Sequence, residues 1–225
     1  MKYEIAGGNL PVVKVQLDAG EKVVCESGAM SWMDDEIEME THAGGIGKMF
    51  GRMFTGEHAF QNTYIAKKGG EIAFASSFPG SIRAIEVSPS RPIIVQKSSY
   101  LAHYGDIERT VYLQKKVGAG FFGGEGFLMN KFEGNGIVFL EVDGSAHEYQ
   151  IAAGDRKIID TGYVAMMDAS CTMEIQTVKG VKNALFGGEG FFNTVVTGPG
   201  TVILQSMPLT QTAMLLYENM PHNNN

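Results

Sequence analysis

The sequence predicts an all-β protein made of three tandem β-sandwich or β-helix-like repeats in one pseudo-threefold body, with little helix. Three observations carry this reading. Phe122-Gly123-Gly124-Glu125-Gly126-Phe127 recurs letter for letter as Phe186-Gly187-Gly188-Glu189-Gly190-Phe191, and the shift of 64 holds without a gap over 19 positions, 10 of them identical. At a shift of 134, residues 19–40 match residues 153–174 at 7 of 22 positions, among them Ala19-Gly20, Met33-Asp34 and Met39-Glu40. The 29 glycines stand between short apolar runs, which is the punctuation of many short strands joined by tight turns.

Each copy closes on a Gly-Glu motif: Thr55-Gly56-Glu57, Gly123-Gly124-Glu125 and Gly187-Gly188-Glu189. A weaker middle match runs from Pro92 to Ala102 and resembles the segment ending Thr161-Gly162-Tyr163-Val164-Ala165; the three copies are placed at about 1–78, 79–144 and 145–225. Within a copy the period is two. Ile37, Met39 and Thr41 alternate with Glu36, Glu38 and Glu40, and Met173, Ile175 and Thr177 alternate with Glu174 and Gln176. Such strands bury one face and wet the other. Ile137-Val138-Phe139-Leu140 and Val202-Ile203-Leu204 are apolar on both faces and are expected between layers. Gly134-Asn135-Gly136 and Gly198-Pro199-Gly200 read as turns between two strands, so that each Gly-Glu motif opens a hairpin. Helix is expected as single turns at 48–54 and 180–186 and in the tail Thr212–Met220. No Pro/Ser-rich linker separates the copies, which favours one body over beads on a string.

Composition narrows the function classes. A chain of 225 residues, 44% hydrophobic and 19% charged, can bury a sizeable core. A net charge of −7 opposes non-specific binding to nucleic acid, which needs a positive surface. Cys25 and Cys171 lie far apart with no C-x-x-C, as reduced core residues of a cytoplasmic protein do. No apolar run reaches membrane-spanning length, and the N-terminus goes straight into strand-like sequence without a signal.

No motif rises to a named chemistry. Gly118-Ala119-Gly120-Phe121-Phe122-Gly123 spells G-x-G-x-x-G, but strand-like Phe127-Leu128-Met129 follows where a dinucleotide site needs a helix. Gly44-Gly45-Ile46-Gly47-Lys48-Met49 lacks the spacing of a phosphate loop and has Met49 in place of the hydroxyl. Glu57, Glu125 and Glu189 are the candidate functional carboxylates, one per copy, suited to acid–base work or a cation on the threefold axis. A Glu accepting backbone N–H groups in a repeated tight turn explains them more simply. The five histidines show no metal-ligand spacing; His103 and Asp106 can pair, but no nucleophile travels with them. Cys25 has no nearby His or basic cluster in sequence to lower its pKa. Catalytic, cofactor and metal residues are accordingly expected to be none. Lys48, Met49, Phe50, Arg52, Met53 and Phe54 form a candidate interaction patch, with flexible Met beside two cations; the simpler alternative is a loop folded onto the core.

The triple repeat with Gly187-Gly188-Glu189-Gly190-Phe191, Gly198-Pro199-Gly200 and Val202-Ile203-Leu204-Gln205-Ser206 resembles the altered-inheritance-of-mitochondria type family of bacteria and mitochondria. The likeness covers nearly the whole chain, although the first copy departs from it at Thr55-Gly56-Glu57-His58-Ala59-Phe60. It implies three units each similar to a subunit of the tryptophan-responsive RNA-binding attenuation protein, and no established catalytic residues. The mitochondrial relatives look like inner-membrane assembly factors, which implies scaffolding; RNA and tryptophan binding do not carry over with the fold. The expectation is a non-enzymatic macromolecule-binding or scaffold protein, monomeric or a small homo-oligomer, with a protein partner or self-association near a membrane. The alternatives are a cupin-like barrel holding a small ligand, with or without catalysis, and an RNA-binding protein.

Overall fold

The structure, a computed structural model, describes residues 1–40, 61–115, 127–177 and 192–220. They are mostly strand, as the period-two runs require. The first stretch carries β1 (Lys2–Ala6), β2 (Val12–Asp18), β3 (Lys22–Glu26), β4 (Met30–Met33) and β5 (Ile37–Glu40). Then come β6 (Gln61–Ala66), β7 (Gly69–Ala75), β8 (Gly80–Val87), β9 (Ile93–Gln96) and the long β10 (Tyr100–Lys115). β11 (Phe127–Asp143) is longer still; β12 (Ala146–Ile151), β13 (Arg156–Asp160), β14 (Val164–Asp168) and β15 (Thr172–Thr177) follow. β16 (Phe192–Thr197), β17 (Gly200–Gln205) and the helix α1 (Leu209–Asn219) complete it. No helix among the described residues is long and apolar enough to cross a membrane.

Every ladder among the described strands is antiparallel, and one pairing scheme recurs along them. β7 lies between β2 and β4, while β6 lies between β3 and β5. β17 lies between β12 and β14, while β16 lies between β13 and β15. In the middle the same roles fall to halves of two long strands. Residues 136–140 of β11 lie between β8 and the start of β10; residues 129–132 lie between β9 and the end of β10. Two further ladders join neighbouring groups, β3 with β10 and β9 with β14. Ten strands therefore form one branched sheet, while β1-β2-β7-β4 and β13-β16-β15 stand as separate sheets.

Strands apolar on both faces lie deepest, as their composition demands. Val138, Phe139, Leu140, Val202 and Ile203 are all buried. The core mixes residues from different parts of the chain: Phe139, Ile82 and Leu101 pack with Val13, Val15, Ile72 and Phe74, and Phe127 and Met129 pack with Val164, Val196 and Val202. In β15, Met173 and Ile175 are half-buried while Glu174 and Gln176 are exposed, as alternation predicts. In β5 only Ile37 is buried, and Met39 is 46% exposed.

Two local expectations need correction. Gly134-Asn135-Gly136 is no turn, but lies inside the unbroken strand β11. Gly134 has φ +125°, and a Cβ there would stand 2.1 Å from the Asp106 carbonyl oxygen of β10. The missing side chain lets the two long strands stay paired at this point, where a Cβ would collide with the partner backbone. Gly198-Pro199-Gly200 does lie between two strands, but β16 and β17 belong to different sheets and do not pair. The paired arms are instead β5 with β6, β10 with β11 and β15 with β16, so each Gly-Glu motif falls in the connection between two paired arms. The motifs themselves, and the expected helical turns at 48–54 and 180–186, lie outside the described residues. The expected tail helix is present as α1.

Candidate functional site

Glu57, Glu125 and Glu189, and the patch Lys48, Met49, Phe50, Arg52, Met53 and Phe54, all lie outside the described residues. A concavity lies elsewhere, a cleft of about 680 Å³ where strand ends from all three parts of the chain converge. β3 and its following turn bring Glu26 and Ser27, the end of β7 brings Ser76 and Ser77, and β9 leads into Lys97 and Ser98. β11 supplies Phe127 at one end and Glu141 and Asp143 at the other; Gln205 and Leu209 close the rim.

The carboxylates here are held by built-in donors. One Glu141 oxygen accepts from the Ser77 backbone N–H at 2.7 Å and from the hydroxyls of Ser77 at 2.9 Å and Ser76 at 3.2 Å. Burial nonetheless outweighs these bonds and raises the Glu141 pKa above the ordinary range; the nearby Asp143 charge adds to the rise. Burial also raises the pKa of Asp143, whose carboxylate accepts the Leu209 N–H at 2.8 Å and so caps the start of α1. Gln205 ties the site to its neighbours: its oxygen accepts the Asp143 N–H at 3.2 Å, and its amide donates to the Gly162 carbonyl at 2.9 Å and to Gln96 at 3.4 Å.

A second cluster backs the cleft. Arg109 donates to Glu26 at 2.7 Å and places its guanidinium 5.0 Å from the centre of the buried Tyr100 ring. The Tyr100 hydroxyl donates to the Val24 carbonyl at 3.2 Å and lies 2.8 Å from Nδ1 of buried His103. Burial pushes the Tyr100 pKa well up and holds the phenol neutral. The Cys25 thiol, buried and close to the Glu26 charge, is pushed up to about 12, which leaves it no nucleophilic thiolate at neutral pH. Both cysteines are free and buried. Among the described residues no three His, Cys, Asp or Glu side chains come together to hold a metal ion.

The titration of Glu141 gives a signed expectation. A carboxyl with a raised folded pKa binds more protons folded than unfolded, so its contribution is fully present below the unfolded pKa and is lost as pH rises through the folded pKa. Acidification from neutral pH down to the ordinary Glu value of 4.5 should therefore raise the urea midpoint of wild type relative to that of Glu141→Gln. Parallel midpoints for the two proteins across that range would remove Glu141 as a source.

Sequence reasoning did not find this site. A faint signal existed: at the 64-residue shift Glu141 falls on Gln205, each a polar residue closing an apolar run. His103 was singled out with Asp106, and the structure sets it against Tyr100.

Comparisons with known proteins agree with the fold. The chain is 27% identical over 225 residues to an uncharacterised protein of Streptococcus pyogenes serotype M6, covering 96% of this chain and 89% of that one. A crystal structure of another Streptococcus pyogenes protein superposes with a TM-score of 0.82 at 24% identity, over 97% of this chain and 99% of the other. At that identity the likeness concerns the fold alone. The model of the family described as mitochondrial biogenesis AIM24 matches residues 3–207, and the chain belongs to that family.

Proposed function

We propose that this protein is a non-enzymatic binding and assembly scaffold, a pseudo-threefold body of three like units each resembling the tryptophan-attenuation subunit. The recurring ladder scheme supports the unit reading. The observation that carries the binding role is α1. Its first turns are tied to the body: the Leu209 N–H donates to Asp143, Gln211 donates to Asp160, and the Tyr163 hydroxyl donates to Gln211. Its far end exposes Leu215, Leu216, Tyr217 and Met220, each 60–67% exposed. A rigidly mounted helix with an apolar end is a docking handle of the helix-in-groove kind. The partner this fits is a protein, and the free buried cysteines fit a cytoplasmic setting.

A photo-crosslinking residue at Leu216, introduced in the native host, should yield a discrete protein adduct that disappears when Leu215 and Tyr217 are both changed to Ser. A pattern no different from that of the same residue at exposed Leu10 would overturn the docking role.

One observation favours a second reading. The cleft brings Glu26, Lys97, Glu141 and the Ser76–Ser77 hydroxyls beside apolar Phe127 and Leu209, a mixture suited to a small polar ligand. Native mass spectrometry of protein purified from its host should then show an added mass of a few hundred daltons, reduced by Glu141→Leu. A bare chain in both cases would leave the scaffold reading alone.

A further inference from the structure

Two ladders inside the chain define how one group of strands joins the next. In the first, Ala102, His103 and Tyr104 of β10 face Cys25, Val24 and Val23 of β3. In the second, Met166, Met167 and Asp168 of β14 face Val95, Ile94 and Ile93 of β9. The joints correspond residue for residue. Ala102 and Met166 each follow a bulge at the start of their strand, and Cys25 and Val95 each stand one residue before the last of theirs.

A third joint of the same kind, the one that a closed threefold ring would make within the chain, has both halves but no ladder between them, so the three groups of strands form an open arrangement. β4 bears the same bulge, between Met30 and Trp32, and is the last strand of its four-stranded sheet. β13 corresponds to β3 and β9, and is the last strand of its three-stranded sheet. Where the made joints bury Ala102, His103, Met166 and Met167 to within 4% exposure, the unmade one leaves Trp32 47% and Met33 36% exposed. On the other side Ile158 is 69% exposed. Open apolar edge strands are templates for another chain.

We propose that β4 of one molecule pairs with β13 of a second copy of this chain, in the register Trp32 opposite Ile159, Met33 opposite Ile158 and Asp34 opposite Lys157. The register is that of the two joints already present. The last pair adds an attraction those joints lack, because Asp34 and Lys157 carry opposite charges where the others place Tyr104 against Val23 and Asp168 against Ile93. The contact is head to tail, so one molecule offers both halves and assembly continues until the rotation closes a ring. It specifies the assembly part of the scaffold reading and is independent of the α1 handle.

Cysteine pairing tests the joint and its register together. Directly opposed Cα atoms in an antiparallel pair lie about 4.5–5.5 Å apart, within disulfide range. Met33→Cys and Ile158→Cys variants, prepared separately, mixed and oxidised, should form a covalent dimer containing one chain of each. Met33→Cys mixed with Arg156→Cys, two residues out of register, should give far less. Native Cys25 and Cys171 are buried and do not compete. Light scattering should give wild type a mass of two or more chains, and Ile158→Lys the mass of one with an unchanged circular dichroism spectrum. No mixed dimer, or a monomeric wild type at every concentration, would overturn the proposal. So would a double Met33→Cys/Ile158→Cys variant that forms its disulfide quantitatively within one chain, since the joint would then close internally. Loss of the joint with the Leu216 adduct intact would retire self-assembly alone, whereas loss of the adduct with the joint intact would retire only the helix handle.

Discussion

Phe132→Ala should cost about 3–5 kcal/mol of folding free energy, the range for emptying a buried aromatic site. Phe132 is fully buried in β11 between Ile93 of β9 and Arg109 of β10. Its ring lies 5.0 Å from that of Tyr100 and edge-on to His103 at 6.3 Å. Removing it opens a void beneath a phenol whose hydroxyl, guanidinium and imidazole contacts hold it in place. That polar cluster cannot settle into the space without breaking hydrogen bonds, so relaxation recovers little. Urea denaturation should show a lower midpoint with an unchanged slope. Phe132→Leu should lose less, because it leaves a smaller void. A loss below about 1 kcal/mol for the alanine variant would mean that the site collapses freely.

Gly134→Ala should be nearly as damaging, at about 3 kcal/mol or more, for a different reason. The backbone at φ +125° is one that a side chain adopts only under strain, and the new Cβ would meet the Asp106 carbonyl oxygen at 2.1 Å and the Ile107 Cα at 3.2 Å. These are backbone atoms of the paired strand and cannot turn aside. Gly8→Ala is the control: its φ is +59°, nothing lies within 4 Å of the added carbon, and about 1–2 kcal/mol is expected from the left-handed backbone alone. Equal losses at the two positions would contradict the crowding argument.

Strand content was legible because it rests on local chemistry. Alternation in Met173–Gln176 and unbroken apolarity in Val138–Leu140 both report burial directly, and the structure places them accordingly. The place of Gly134 inside a strand was not legible, since a glycine that turns the chain and one that lets two strands lie close look alike; the distinguishing fact is the partner strand, where Gly105 faces Gly136. The cleft was hidden for a broader reason. Ser77 and Glu141 meet across 64 residues, Asp143 and Leu209 across 66, and Gln96 and Gln205 across 109. No spacing rule links such residues. The repeat did bear on the cleft, because corresponding strand ends converge there, but it directed attention to the Gly-Glu segments.

β10 and β11 each run through two groups of ladders without a break, and this governs how the molecule comes apart and together. Their mutual ladder joins residues whose separation in the chain is as small as 12, between Lys115 and Phe127, whereas β3 with β10 and β9 with β14 join residues more than 70 apart. Closing short loops first costs less entropy, so the β10–β11 pair closes before the two joints that add the outer groups to it. For the same reason the middle third is no detachable module. Cutting the chain near residue 79 or 145 would strip an edge partner from β10 or β9, and unfolding should spread through the whole body as one transition instead of three.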